Sequence, residues 1–187
     1  MNPIRVFVSV PVLDKKPFRK MAEELRRIPN VRVSPVGQMH ITLRFIGDVD
    51  PSKVDEIAGC IERSVAGMDP FTVTVSGAGA FPDKRRPSVV WVGASPEKTL
   101  STIAERLGRE LDSIGVDYDR KPFRSHITVG RCRGPADLDG FFSGYGNGTL
   151  AEFPCDEILV MKSELGPQGA QHDVLRRIPL GSSGNGA

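Results

Sequence analysis

The alternation of apolar and polar positions predicts most of the strands. Residues 4–11, IRVFVSVP, alternate and are rich in β-branched side chains, as a half-buried strand requires. Residues 15–28, KKPFRKMAEELRRI, carry their apolar positions at helical spacing instead. A strand follows at 39–46. Either Asp48 or Asp50 can cap the next helix, with Pro51 in its first turn and VDEIAGCIERSVAG as its body. FTVTVSG (71–77) alternates cleanly and predicts a strand. GAGAFPDKRRP (77–87), full of Gly, Pro and charge, predicts a loop. SVVWVGA predicts another strand, with Trp91 read as core. SPEKTLSTIAERLGRELDSIG predicts a helix ending near Gly115. Residues 125–131 predict a strand, and GPADLDGFFSGYGNGTL a loop or short helix. EFPCDEILVMKSEL holds one strand and DVLRRIPL another. Residues 1–180 are expected to form the folded unit. GSSGNGA (181–187) is expected to be a flexible tail. The predicted order is β-α-β-α-β-β-α-β-β-β.

Composition narrows the class. With 187 residues, of which 39% are hydrophobic and 26% charged, the chain suits one large domain or two fused halves. No apolar run approaches the ~20 residues of a membrane-spanning helix. No signal peptide is read at the start. Cys60, Cys132 and Cys155 are widely spaced and form no C-x-x-C, so they read as reduced thiols rather than a disulfide framework or zinc site. A cytoplasmic location is therefore expected. The net charge of +2 is too small to establish a nucleic-acid partner. The basic residues cluster, however, at Lys84-Arg85-Arg86, at Arg120-Lys121 with Arg124, and at Arg131 with Arg133. Arginine outnumbers lysine by about two to one, and its planar fork suits phosphate. Any one cluster alone reads as a solvated face.

The chemistry lies in a repetition. The chain has 3 histidines, and two of them open the same tripeptide, His40-Ile41-Thr42 and His126-Ile127-Thr128, one in each half. Side chains alternate across a strand. His40, Thr42 and Arg44 therefore share one predicted face, and Ile41, Leu43 and Phe45 the other. His126 and Thr128 share a face likewise. Two such strands side by side would set two imidazoles and two hydroxyls in one groove. One imidazole can take a proton from a nucleophile while the other gives one to a leaving oxygen. Hydroxyls and a guanidinium can hold the charge that develops on phosphorus. That is equipment for opening a phosphodiester. A single H-I-T would read as an ordinary half-buried histidine; its recurrence does not.

These residues resemble the two-histidine phosphoesterase superfamily, marked by two H-x-T-x motifs. Within it the chain is similar to the RNA 2′,3′-cyclic phosphodiesterases, also called 2′-5′ RNA ligases. The likeness includes RVFVSVPV, HITLRFIGD, GAFPDKRRPSVVWVG, FRSHITVGR and SELGPQGAQHDVL, spanning roughly residues 4–178. The resemblance implies an α+β fold of two pseudo-symmetric lobes, each with an antiparallel sheet and outer helices, around a central groove. It implies metal-independent opening of a terminal 2′,3′-cyclic phosphate to a 2′-phosphate, with no cofactor, and a 2′-5′ ligase side activity. His40 would be the general acid and His126 the general base. Arg131 matches the arginine that follows the second motif. Strict alternation turns it away from His126, unless a bulge at Gly130 redirects it. Thr42, Thr128, Arg44, Phe81 and His172 complete the expected substrate contacts. His172 stands where relatives more often carry tyrosine. The implied partner is RNA with a cyclic phosphate end, including tRNA halves, bound by a monomer.

Other readings stay open on residues alone. The same site could serve small cyclic nucleotides, an ADP-ribose cyclic phosphate or 2′-5′ oligoadenylate. A groove that only binds RNA ends would have little use for two poised imidazoles. Three histidines could hold zinc, but no carboxylate or cysteine joins them at a telling spacing.

Overall fold

Ile41 and Ile127, the middle residues of the two repeated tripeptides, pair with each other. Everything else in the fold is arranged around that meeting. In the computed structural model, which describes residues 2–181, the chain runs β1 (Ile4–Pro11), α1 (Lys16–Arg26), β2 (Val31–Val33), β3 (His40–Val49), α2 (Val54–Ser64), β4 (Phe71–Phe81), β5 (Val89–Ser95), α3 (Glu97–Ser113), β6 (His126–Cys132), α4 (Asp139–Tyr145), β7 (Thr149–Cys155), β8 (Glu157–Gly166) and β9 (Gly169–Pro179). The strands follow the path β7-β4-β5-β6-β3-β1-β8-β9, all pairs antiparallel, with β2 added alongside β6. The seam between β3 and β6 is that one residue pair. Outward from it, β6-β5-β4-β7 on one side mirrors β3-β1-β8-β9 on the other. The architecture is α+β, with two half-sheets joined into one curled sheet.

The helices form where apolar residues recur every three or four positions. Phe18, Met21 and Leu25 on α1 are fully buried, as are Ile57 and Ile61 on α2 and Leu100, Ile103, Leu107 and Leu111 on α3. Their partners are the sheet's back-facing residues, including Ile41, Leu43, Ile127 and Val129. Burying one such side chain contributes about 1.5–3 kcal/mol, so packing rather than intrinsic propensity holds the helices in place. α2 and α3 pack together behind the sheet, α1 lies against β2, and α4 against β4. Among the described residues no helix is long and apolar enough to cross a membrane.

Several local expectations need correcting. Asp50, not Asp48, supplies the cap, and it caps a short 3-10 turn (Pro51–Lys53) by accepting from the Ser52 amide. β4 runs on to Phe81, so the first part of the expected 77–87 loop is strand. β2 was not anticipated. EFPCDEILVMKSEL holds parts of two strands, broken at Asp156. Gly181 donates to the Met68 carbonyl. The rest of the expected tail, 182–187, lies outside the described residues.

Candidate active site

Each half-sheet delivers one His-Ile-Thr histidine and its threonine to a shared cavity of about 480 Å³. His40, Thr42, His126, Thr128, Arg131 and His172 all line it, together with Arg32, Gln38 and Gln168. Among the described residues no aspartate or glutamate lines it. The two imidazoles are held in the same way. His40 Nδ1 lies 2.7 Å from the Gln38 carbonyl, and His126 Nδ1 lies 2.6 Å from the Arg124 carbonyl, each two residues upstream. A carbonyl only accepts, so both Nδ1 atoms carry hydrogen. In the neutral rings each Nε2 then keeps its lone pair. The Thr42 hydroxyl, 2.9 Å from His40 Nε2, donates to it.

Aromatic rings wall both histidines. Phe7 and His172 lie 4.8 and 5.5 Å from the His40 ring, centroid to centroid. Phe81 and Trp91 lie 5.0 and 6.3 Å from His126. This enclosure sets the titration. Burial lowers His40 to about 4, outweighing the Gln38 carbonyl, which raises it; the neighbouring His172 and His126 lower it further. Burial also lowers His126, again against a raising carbonyl, that of Arg124. His172 is lowered by burial and raised by Asp173. At neutral pH His40 and His126 are therefore uncharged.

Arg131 reaches the cavity because β6 carries a bulge. Trp91 pairs with Thr128 and Val90 with Gly130, leaving Val129 as the extra residue. Arg131, opposite Val89, thereby returns to the face of Thr128. Arg44 does the reverse, which corrects the expectation of a groove contact. On β3, Val8 pairs with Arg44 and Ser9 with Thr42, so Leu43 is the extra residue. Arg44 is turned onto α3, where its Nε donates to the Ala104 carbonyl at 2.9 Å and its guanidinium lies 5.0 Å over the Tyr118 ring.

Phe81 and His126 both also line a second cavity, likewise of about 480 Å³, with Trp91, Phe123 and Arg124 among others. The Arg124 guanidinium lies 5.8 Å over the Phe81 ring. The remaining basic clusters stay out of the groove. Arg120 is paired with Asp112, and Lys84 sits over Phe142.

Reasoning from sequence missed Phe7, Gln38, Arg32 and the position of Trp91. Trp91 is not core: its indole lies on the groove face over Gly79, where a Cβ would come within 2.4 Å of the ring. A tryptophan among glycines on facing strands was the available signal. Its Nε1 is buried without a hydrogen-bond partner among the described residues.

Two mirrored half-sheets, each turning a His-Ile-Thr strand toward a common groove, define a recognisable fold. It is that of TT0787 of Thermus thermophilus, with a TM-score of 0.82 at 23% identity over 97% of this chain and 100% of that one. E. coli LigT complexed with 3′-AMP has a TM-score of 0.77 at 22% identity, covering 96% and 99%. At such identities the likeness speaks for the fold alone. The sequence goes further: residues 13–167 match the 2′-5′ RNA ligase superfamily, and the chain belongs to it. It is 31% identical over 177 residues to the RNA 2′,3′-cyclic phosphodiesterase of Archaeoglobus fulgidus, covering 92% of this chain and 98% of that protein. It is 37% identical over 134 residues to the protein of the same name from Thermotoga maritima, covering 70% and 71%.

Proposed function

We propose that this protein is an RNA 2′,3′-cyclic phosphodiesterase that opens a terminal cyclic phosphate to a 2′-phosphate by acid–base catalysis without a metal. The observation that carries it is the pair of Nδ1-protonated imidazoles facing one carboxylate-free cavity. His126 Nε2, with its lone pair available, takes a proton from water as the water oxygen bonds to phosphorus. The P–O3′ bond breaks, and His40 gives its Nε2 proton to the departing O3′. His40 must first be protonated, and a phosphate anion beside it raises its pKa toward that state. Thr42 and Thr128 donate to the nonbridging oxygens, and Arg131 offsets their growing charge. His172 and Phe81 border the nucleotide on either side. A ribose 5′-hydroxyl in place of water turns the same displacement into a 2′-5′ ligation. The substrates are RNA ends, tRNA halves included, and the monomer suffices, since both histidines come from one chain.

The test is product analysis on an RNA oligonucleotide ending in a 2′,3′-cyclic phosphate, with a metal chelator present throughout. A 2′-phosphate product is expected. His40→Ala and His126→Ala should each lower kcat by about 10²–10⁴, with circular dichroism unchanged. Full turnover in both variants would end the proposal, and a 3′-phosphate product would exchange the leaving oxygen.

A further inference from the structure

Arg32 on β2 and Arg131 on β6 are register partners. They therefore share a face, with Cα atoms about 4.5–5.5 Å apart. Like charges directly opposite one another destabilise a strand pair. Here nothing relieves them. Among the described residues neither guanidinium forms an ion pair or a hydrogen bond, and the cavity that both line holds no carboxylate. The opposite half of the molecule also comes close to Arg32. In the β8–β9 turn, Gly169 has φ +104, and a Cβ there would lie 2.8 Å from an Arg32 terminal nitrogen. The backbone of one half thus approaches a guanidinium offered by the other, with Gln168 beside it on the cavity wall. An unrelieved pair of cations at the rim of an acid-free cavity is arranged for an anion that the protein does not itself supply.

The arginine pair lies down β6 from Thr128, roughly 7–10 Å away allowing for the bulge. That separation compares with the spacing of successive phosphates on a nucleic-acid strand. We infer that Arg32 forms a second phosphate subsite, next to Arg131, whose own guanidinium serves the reacting phosphate. The subsite takes the phosphodiester on the 5′ side of the terminal nucleotide while the histidines hold the cyclic phosphate. The inference rests on the function proposed above and gives it a specificity: strand ends are preferred over mononucleotides, which carry only the reacting phosphate.

Calorimetric binding at fixed ionic strength tests it with two probes, adenosine 2′-phosphate and adenosine 2′,5′-bisphosphate. The wild-type protein should bind the bisphosphate about tenfold more tightly or better. Arg32→Ala should erase that preference and leave adenosine 2′-phosphate affinity unchanged. The variant should keep or raise its Tm, because it removes a like-charge pair; a merely structural arginine would lower it. Turnover should follow: kcat/KM falls on a dinucleotide ending in a cyclic phosphate and holds on adenosine 2′,3′-cyclic phosphate. Equal binding of both probes by the wild type, or equal weakening of both in Arg32→Ala, overturns the subsite. If the wild type opens no cyclic phosphate, the proposed function falls, and the binding comparison still decides the subsite.

Discussion

His40 and His126 face the groove uncharged, and this fixes the expected pH dependence. One histidine must be neutral and the other protonated, so the lower of the two pKa values bounds the acid limb of kcat/KM and the higher the alkaline limb. In the free protein both are lowered from 6.5, His40 to about 4, chiefly by burial. The kcat/KM optimum is therefore expected on the acid side of pH 6.5, declining as pH rises and the acid loses its proton. The kcat profile reports the complex instead. There the substrate's anion favours imidazolium at His40, so the alkaline limb of kcat should lie at higher pH than that of kcat/KM. Steady-state rates from pH 4.5 to 9 check this. Coincident alkaline limbs would take the acid role away from His40.

At the scale of the element, two bulges divide the work of two arginines. The extra residue Leu43 in β3 sends Arg44 to α3, and the extra residue Val129 in β6 brings Arg131 to the groove. Arg44→Ala should accordingly cost about 1–3 kcal/mol of stability through the lost bond to Ala104 and the lost packing on Tyr118. Its kcat should stay at the wild-type value, as urea unfolding and turnover on the same preparation would show. A large fall in kcat with stability intact would return Arg44 to the site. The bulges also mark where the sequence stops being legible. The His-Ile-Thr strands could be read because period-two alternation and repetition agree. Alternation alone cannot show where the count slips by one, and it misplaced Arg44. For Arg131 only Gly130 hinted at the slip. β2 is three residues long, too short to carry a period. Gly77–Phe81 looked like loop because Gly and Ala are weak strand formers. Gly79 is required there by a ring on the neighbouring strand, Trp91, and that pairing is invisible until the register is known.

At the scale of the whole molecule, neither half is a continuous stretch of chain. One half takes β1, β3, β8 and β9. The other takes β2, β4, β5, β6 and β7. The chain therefore crosses the Ile41–Ile127 seam repeatedly, and no single cut separates the two lobes. A chain ending at Asp156 keeps every strand of the second half and loses β8 and β9 from the first. It also strips β1 of the partner that pairs with Arg5–Ser9. Such a fragment is expected to be insoluble or to unfold without cooperativity, as sedimentation and thermal melts would show. A cooperative melt would mean that the second half can stand alone.

The position of β1 has a consequence for synthesis. Among the described strands it precedes all the others, yet it waits for its second neighbour until β8, since β3 forms early and β8 late. For most of translation its apolar residues, Val6, Val8 and Val10, belong to a strand with one side open to any passing neighbour. The nascent protein thus holds its riskiest surface longest. Completion of the groove and concealment of that strand arrive together, with β8 and β9.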